Sequence, residues 1–359
     1  MGDDAYRKLA KVLDTLPNGF PATESGLEID ILKKTFTEKE AEMFCDLRLS
    51  FETADQIAER TGRPLEGLED FLDAMWERGL VFGVNMGGVK IFKMMPWVFG
   101  VYELQLERMD REFAEMCEKY FKAFGKQFFE NKPQLMQVLP VEKEISAIQE
   151  TLPYEKVSGI IENGQSFGLA ECICKKEKRL LDDGCDKPSE VCMAIAPVPG
   201  IFENSHWGRP ISKEKAREVL KKSEEAGLVH MTSNVESGHF YICNCCGCCC
   251  GVLRAINNLG IADAVNTHFF AEIDPDSCVA CGVCADERCQ VNAIEEDGDV
   301  YRVIRESCIG CGLCVSTCPE EAVSMKRKAD TEIVAPPGDE DQWFESRGES
   351  RGVDYSAYK

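Results

Sequence analysis

Apolar residues recur every three or four positions through the first third of the chain, and each run closes on a turn-forming residue. Residues 29–36 read as a helix, and Thr37 with Glu40 forms a capping box that opens the next. Thr53 with Gln56 starts a third helix, stopped near Gly62. Pro64 suits a first helical position and is followed by Leu65, Leu68, Phe71, Leu72, Met75 and Trp76 at helical spacing. Residues 81–84 and 89–94, joined through Met86-Gly87-Gly88, read as a hairpin. From 101 to about 129 a long helix is predicted, with Leu106, Met109, Phe113, Met116, Cys117, Tyr120, Phe124 and Phe128 forming a core or dimer stripe.

Pro133 and Pro140 mark a boundary, after which residues 138–145 and 167–173 read as strands of a middle α/β region. Residues 213–226 read as a helix. Its ending, Glu225-Ala226-Gly227-Leu228-Val229, echoes Glu77-Arg78-Gly79-Leu80-Val81, and both precede an expected hairpin. A second helix-plus-hairpin unit is therefore expected there. After Lys328 the polar composition and Pro336-Pro337-Gly338 predict an extended tail that Trp343, Phe344, Tyr355 and Tyr358 could anchor.

The reading is an α+β multidomain chain: an N-terminal segment (1–26), a helix-and-hairpin domain (27–100), a long helix (101–132), a Cys-rich middle α/β domain (133–270), a βαβ-repeat module (271–328) and the tail (329–359). Residues 27–100 resemble winged helix-turn-helix domains. That resemblance implies DNA binding, but residues 64–78 carry Glu66, Glu69, Asp70, Asp73 and Glu77 against Arg78 alone. A recognition helix must approach phosphates, so a docking or structural role fits better.

Charge reinforces this. The formal net charge is −22 at pH 7, which repels nucleic acid and anionic membrane and favours partner proteins with basic docking patches. Nothing approaches a membrane-spanning run, because residues 81–102, the most apolar stretch, are broken by Lys90 and Lys93. The N-terminus lacks the pattern of a signal peptide, so a cytoplasmic location is expected; a homo-oligomer is compatible with the helical stripe.

The 20 cysteines carry the chemistry. Only Cys45 and Cys117 precede residue 172, and runs such as Cys245-Cys246 and Cys248-Cys249-Cys250 suit disulfide geometry poorly. Metal ligation in a reducing, anaerobic cytoplasm is the better account. Residues 278–289 read Cys-x2-Cys-x2-Cys-x4-Cys, and residues 308–318 read Cys-x2-Cys-x2-Cys-x3-Cys followed by Pro319. Each run precedes an Ala-Ile or Ala-Val pair, Ala293-Ile294 and Ala322-Val323, so the two form an internal repeat. This repeat resembles the bacterial two-cluster ferredoxins. The resemblance implies two 4Fe-4S clusters with crossed ligation: Cys278, Cys281, Cys284 and Cys318 on one, and Cys308, Cys311, Cys314 and Cys289 on the other. Gly282, Gly310 and Gly312 would let the backbone approach the clusters. The first run departs from the pattern by one extra residue among 285–288 and by Gln290 where proline is expected, so a bulge is predicted there.

Ten further cysteines lie in the middle region. Cys172, Cys174, Cys185 and Cys192 form one group along the chain, and Cys243, Cys245, Cys246, Cys248, Cys249 and Cys250 a second, ahead of an expected helix whose N-terminus would favour thiolates. One site cannot use them all. One or two further Fe–S clusters, with each group on its own cluster or with ligands shared between the groups, a structural zinc site and a thiol–disulfide redox site all remain open. Cys245-Cys246-Gly247 is similar to the Cys-Cys-Gly domains of heterodisulfide-reductase-like proteins, but residues 206–214 hold no upstream cysteine, so that family is not carried over. His206, His230, His239 and His268 are scattered and read as ordinary core or surface residues.

The expected function is iron–sulfur electron transfer, as a redox subunit or carrier for an anaerobic cytosolic oxidoreductase complex rather than a stand-alone enzyme. No catalytic residue is assigned. The rival is an Fe–S redox-sensing winged-helix transcriptional regulator, which the acidic helix and overall charge oppose.

Overall fold

The computed structural model describes residues 2–146, 148, 151–203 and 205–359, and it shows a mixed α+β chain. The first helix, α1 (Gly2–Thr15), lies within a stretch that the sequence left as an undivided segment. Leu9 and Leu13 on one face of it, and Leu16 just past its end, are completely buried. Next come α2 (Leu27–Thr35), α3 (Glu38–Phe44), α4 (Ala54–Thr61) and α5 (Leu68–Glu77). Both expected capping boxes form, Thr37 with Glu40 on α3 and Thr53 with Gln56 on α4. Pro64 does not open α5: that helix begins four residues later, after Gly67 in a left-handed conformation, and Leu65 is exposed. Strands β1 (Phe82–Met86) and β2 (Val89–Lys93) pair antiparallel around Gly87-Gly88.

The long helix is shorter than its apolar stripe suggested. Residues 97–108 break into irregular turns, and α6 (Arg111–Glu130) starts only where the Asp110 side chain accepts the Phe113 N–H at 2.8 Å. Six of the eight stripe residues are buried, with Leu106 and Met116 half-buried, but the cap decides where the helix starts.

Next follow β3 (Met136–Leu139), α7 (Glu142–Ile145), α8 (Val157–Asn163), β4 (Ser166–Glu171), α9 (Ile173–Leu180), β5 (Glu190–Ala196) and β6 (Arg209–Ile211). Residues 138–145, expected as one strand, are thus the end of β3 and the helix α7. The chain continues with α10 (Lys213–Glu225), β7 (Val229–Ser233), β8 (Tyr241–Cys245), α11 (Gly251–Leu259) and β9 (Val265–Asn266). The strands form one seven-stranded sheet in the order β6-β4-β5-β8-β7-β3-β9, antiparallel except for β3 and β9. The second helix-plus-hairpin unit exists as α10, β7 and β8, but its hairpin lies inside this sheet and is no free wing. Leu139, Phe167, Met193, Ile195 and Ile242 pack one sheet face against Ile160 and Ile161 of α8 and Ala216 and Leu220 of α10. The opposite face, with Met136, Val138, Met231 and Tyr241, joins the larger core that includes α6 and α11.

His239, in the β7–β8 connection, leaves its Nε2 buried without a partner among the described residues, and burial pushes its imidazole down from 6.5 to about 4. The fold therefore favours the neutral ring. Its contribution to stability is present above about pH 6.5 and is lost as pH falls toward 4. Because the residue is only partly buried, about 1–2 kcal/mol is expected to disappear over that window. The His239→Gln variant should lose less thermal stability between pH 7 and 5 than the parent; equal losses would remove His239 from the account.

The C-terminal module is built from β10 (Phe269–Ile273), β11 (Ile294–Asp297), β12 (Val300–Val303) and β13 (Val323–Arg327), with β10 paired to β13 and β11 to β12. Buried Glu155 ties it to the preceding region, with its carboxylate 2.6 Å from His268 Nδ1 and 2.8 Å from Arg327 Nη1. The tail is not extended throughout. Residues Glu340–Arg351 form α12, and Trp343, Phe344 and Tyr355 are buried as anchors. No helix among the described residues is long and apolar enough to cross a membrane.

Candidate metal centres

The two cysteine runs of the C-terminal module fold into loops that face each other. One small pocket is lined by Cys278, Cys281 and Cys284 together with Cys318; the other by Cys308, Cys311 and Cys314 together with Cys289. Each pocket thus meets three thiols of one run and the last thiol of the other. Tight backbone approach makes this feasible: Gly310 sits at φ +62, and a Cβ there would lie 2.2 Å from the Phe269 carbonyl oxygen. The repeat extends to hydrogen bonding. The N–H of Ala293 donates to Cys289 Sγ at 3.2 Å, and that of Ala322 donates to Cys318 Sγ at 3.3 Å. N–H···S bonds of this kind tune cluster potentials.

Burial pushes the Cys311 thiol up to about 12 and Cys314 also well above its ordinary range. Such thiols ionise near neutrality only when a cation shares the site, which iron does. The donor set, its enclosure and its number therefore fit 4Fe-4S clusters. Residues 271–325 match the 4Fe-4S dicluster domain family. The match covers roughly a sixth of the chain. No curated protein and no solved structure matches the chain.

Both departures of the dicluster domain from the repeat face the Cys-rich region. The extra residue is absorbed by a wide turn over Cys284–Arg288, closed by the Cys289 N–H on the Cys284 carbonyl at 3.1 Å. It turns Arg288 inward, where the buried guanidinium donates to the carbonyls of Leu313 (3.3 Å), Glu225 (3.0 Å) and Glu224 (2.9 Å). The last two belong to the C-terminal end of α10, where the helix dipole attracts a cation. Gln290 replaces the expected proline and accepts the Gly247 N–H on its Oε1 at 3.1 Å, while its carbonyl accepts from Asn257 Nδ2 at 3.0 Å. A Cβ on Gly247 would lie 2.1 Å from the Gln290 carbonyl oxygen, so only glycine fits between Cys246 and Cys248. The sequence located both irregularities but gave no sign that they dock the domain.

The ten middle cysteines group in space across the two sets that the sequence sets apart. Cys185 joins Cys246, Cys248 and Cys249 in a group whose sulfurs all lie within 4.8 Å of one another. Hydrogen bonds from Cys248 and Cys249 push the Cys246 thiol far below its ordinary range, and the same bonding raises Cys249. The other six, Cys172, Cys174, Cys192, Cys243, Cys245 and Cys250, line a cavity of about 120 Å³, into which Cys246 and Cys249 also reach. Strand alternation explains part of this. Cys243 and Cys245 share a face of β8 with Tyr241, and the antiparallel register of β5 on β8 sets Cys192 opposite Cys243. Cys172 is the cap residue of α9 and Cys250 that of α11, so two helix N-termini with their positive dipole ends meet the thiols.

The far wall of the cavity is aromatic, with Trp97, Phe99, Tyr120, Phe124 and Phe128. It also holds residues that sequence reasoning missed. Cys117 of the α6 stripe lines it, as do Glu103 and Glu177. Burial pushes Glu103 up to about 8 and Glu177 up to about 7, and Glu177 accepts the Tyr102 hydroxyl at 2.5 Å. Carboxyls that titrate near neutrality beside a redox centre can take up or release protons when its charge changes. No local signal in the sequence reveals them, because their pKa depends on what is packed around them. None of the four histidines lines this cavity or either dicluster pocket; His206 lies edge-on to Trp76, and His230 pairs with Asn244 at 2.5 Å.

Proposed function

We propose that the chain is an iron–sulfur electron-transfer protein that serves as a redox subunit or carrier for an anaerobic oxidoreductase complex in the cytoplasm. The observation that carries this reading is the dicluster domain at residues 271–325, whose eight cysteines line two pockets four by four. Cys278, Cys281, Cys284 and Cys318 would hold one 4Fe-4S cluster, and Cys289, Cys308, Cys311 and Cys314 the other. Bound there, the clusters supply one-electron redox chemistry. The protein's own residues enclose them, donate N–H···S bonds and set their distance from solvent.

Cys281 and Val279 are exposed, so the first pocket faces outward and suits exchange with a partner. The second pocket faces the Cys-rich region through Arg288 and Gln290. The six cavity thiols are assigned to a further Fe–S cluster, because two helix N-termini and an aromatic wall suit an anionic, oxygen-sensitive group. Residues 27–100 act as a winged-helix-like docking domain. The exposed Glu69, Asp70 and Glu77 of α5 suit a basic protein surface and oppose DNA phosphates. On this ground the transcriptional-regulator reading is set aside.

Anaerobically purified full-length chain is expected to carry at least about eight irons and eight acid-labile sulfides. It should give a reduced 4Fe-4S EPR signal and pass electrons to a viologen dye. Fewer than about four irons, or reduced protein unable to reduce the dye, would sink the proposal.

A further inference from the structure

The four-thiol group of Cys185, Cys246, Cys248 and Cys249 is built differently from both dicluster pockets. Its sulfurs approach at 3.7 Å (Cys185 to Cys246), 3.8 Å (Cys185 to Cys249) and 3.6 Å (Cys248 to Cys249). A tetrahedral ion with metal–sulfur bonds of about 2.3 Å needs sulfur–sulfur edges of ~3.8 Å. The three measured edges agree with that value within about two tenths of an ångström. A cubane spreads its four thiolates around a box of iron and sulfide, and the dicluster cysteines show the consequence. Among the described residues, no dicluster set brings three or more sulfurs within 4.8 Å of one another; this group alone does.

We infer that Cys185, Cys246, Cys248 and Cys249 bind a single thiophilic ion, Zn2+ or mononuclear iron, as a tetrahedral tetrathiolate, distinct from any Fe–S cluster. The two segments that supply the thiols are held in place independently of the ion. Buried Lys175 donates from Nζ to the Pro188 carbonyl at 2.6 Å, and Lys187 donates to the Ala226 carbonyl at 2.7 Å, fixing the loop that carries Cys185. The turn of residues 246–249 is closed by the Cys250 N–H on the Cys246 carbonyl at 3.1 Å. The same turn is gripped from the dicluster side by Gln290 and from α11 by Asn257. Val191 and Leu228 cover Cys246 and Cys249 on the inner side, while Cys248 is exposed. Three sulfurs within four consecutive residues and a fourth from a loop 61 positions earlier make a cross-link between two parts of the Cys-rich region. The ion therefore staples the turn against which the dicluster domain docks. It sits beside the cavity without occupying it, since only Cys246 and Cys249 of the four reach both.

This assignment does not rest on the electron-transfer reading, and sulfide separates the two. Wild type and the Cys185→Ser variant of the full chain, purified anaerobically, are compared for zinc, iron and acid-labile sulfide. The expected result is the loss of about one metal ion per chain, zinc or iron, with acid-labile sulfide unchanged. Loss of about four irons together with four sulfides would make the group a cubane site and overturn the inference. Unchanged metal content would overturn it equally. Should the variant not fold, X-ray absorption on wild type decides. A zinc edge with four sulfurs at about 2.3 Å and no metal–metal shell supports the staple. If zinc is absent, a fraction of the iron bound by four sulfurs without an iron neighbour supports it instead. Absence of both overturns it. Failure of the dicluster domain to bind iron would leave each of these outcomes readable.

Discussion

Replacing Arg347 with alanine is expected to destabilise the folded chain by about 3–5 kcal/mol and to release the C-terminal helix. Arg347 lies on α12 and is completely buried. Its guanidinium donates to four carbonyls: Pro17 (3.2 Å), Asn131 (2.8 Å), Pro133 (2.7 Å) and Phe128 (2.8 Å). These acceptors come from the end of α1's segment, the end of α6 and the chain leading to β3. One side chain therefore ties the two termini to the long helix. Burial and nearby Arg351 push its pKa down to about 9, which still leaves it charged at pH 7. Phe128 and Trp343 flank the cation at 5.6 and 5.4 Å. Alanine would leave all four acceptors buried without that donor and open a void among the rings. Denaturation midpoints and limited proteolysis should show early loss of residues 340–351. A shift under about 1 kcal/mol would mean that the carbonyls find water instead.

The second large effect concerns the crossed pockets. Cys318→Ala is expected to remove the cluster assigned to Cys278, Cys281 and Cys284, although it lies in the other run. Cys289→Ala should instead remove the cluster assigned to Cys308, Cys311 and Cys314. The geometry behind this is the lining of each pocket by the last cysteine of the opposite repeat. Each variant should lose about four irons, and the EPR spectrum of Cys318→Ala should coincide with that of Cys278→Ala rather than Cys308→Ala. Matching Cys318→Ala and Cys308→Ala spectra would show each run serving its own pocket. The Cys289 variant should also disturb the domain contact, because Arg288 and Gln290 flank it and dock on α10 and on Gly247.

The parts of the fold that were legible in the sequence are those whose signal is local. Thr37 with Glu40 and Thr53 with Gln56 announce helix starts because their partners are three residues away. Gly87-Gly88 marks a hairpin because the turn itself demands positive φ. The three closely spaced cysteines of each dicluster run are readable for the same reason: a loop of seven residues wraps a pocket on its own. Where two local signals competed, the sequence misled. Pro64 offered a start for α5, yet Gly67 caps it, and the apolar stripe of α6 continued past the point where Asp110 begins the helix. The tail carried Trp343 and Phe344 as anchors, but its helix is held mainly through Arg347, whose acceptors lie more than 200 residues away.

By itself, then, the sequence determined that residues 271–328 carry a repeated set of eight cysteines and that the middle region has more thiols than one site can use. Tertiary structure alone decided how those ten thiols divide. Pairing of β5 with β8 sets Cys192 beside Cys243, and the docking of α9 and α11 brings Cys172, Cys174 and Cys250 to the same cavity. Cys185 leaves its sequence neighbours for the turn of residues 246–249. The physical reason is that a metal site is defined by distances of a few ångströms between sulfurs. Strand register and helix docking set those distances, and neither is written in the spacing of residues along the chain.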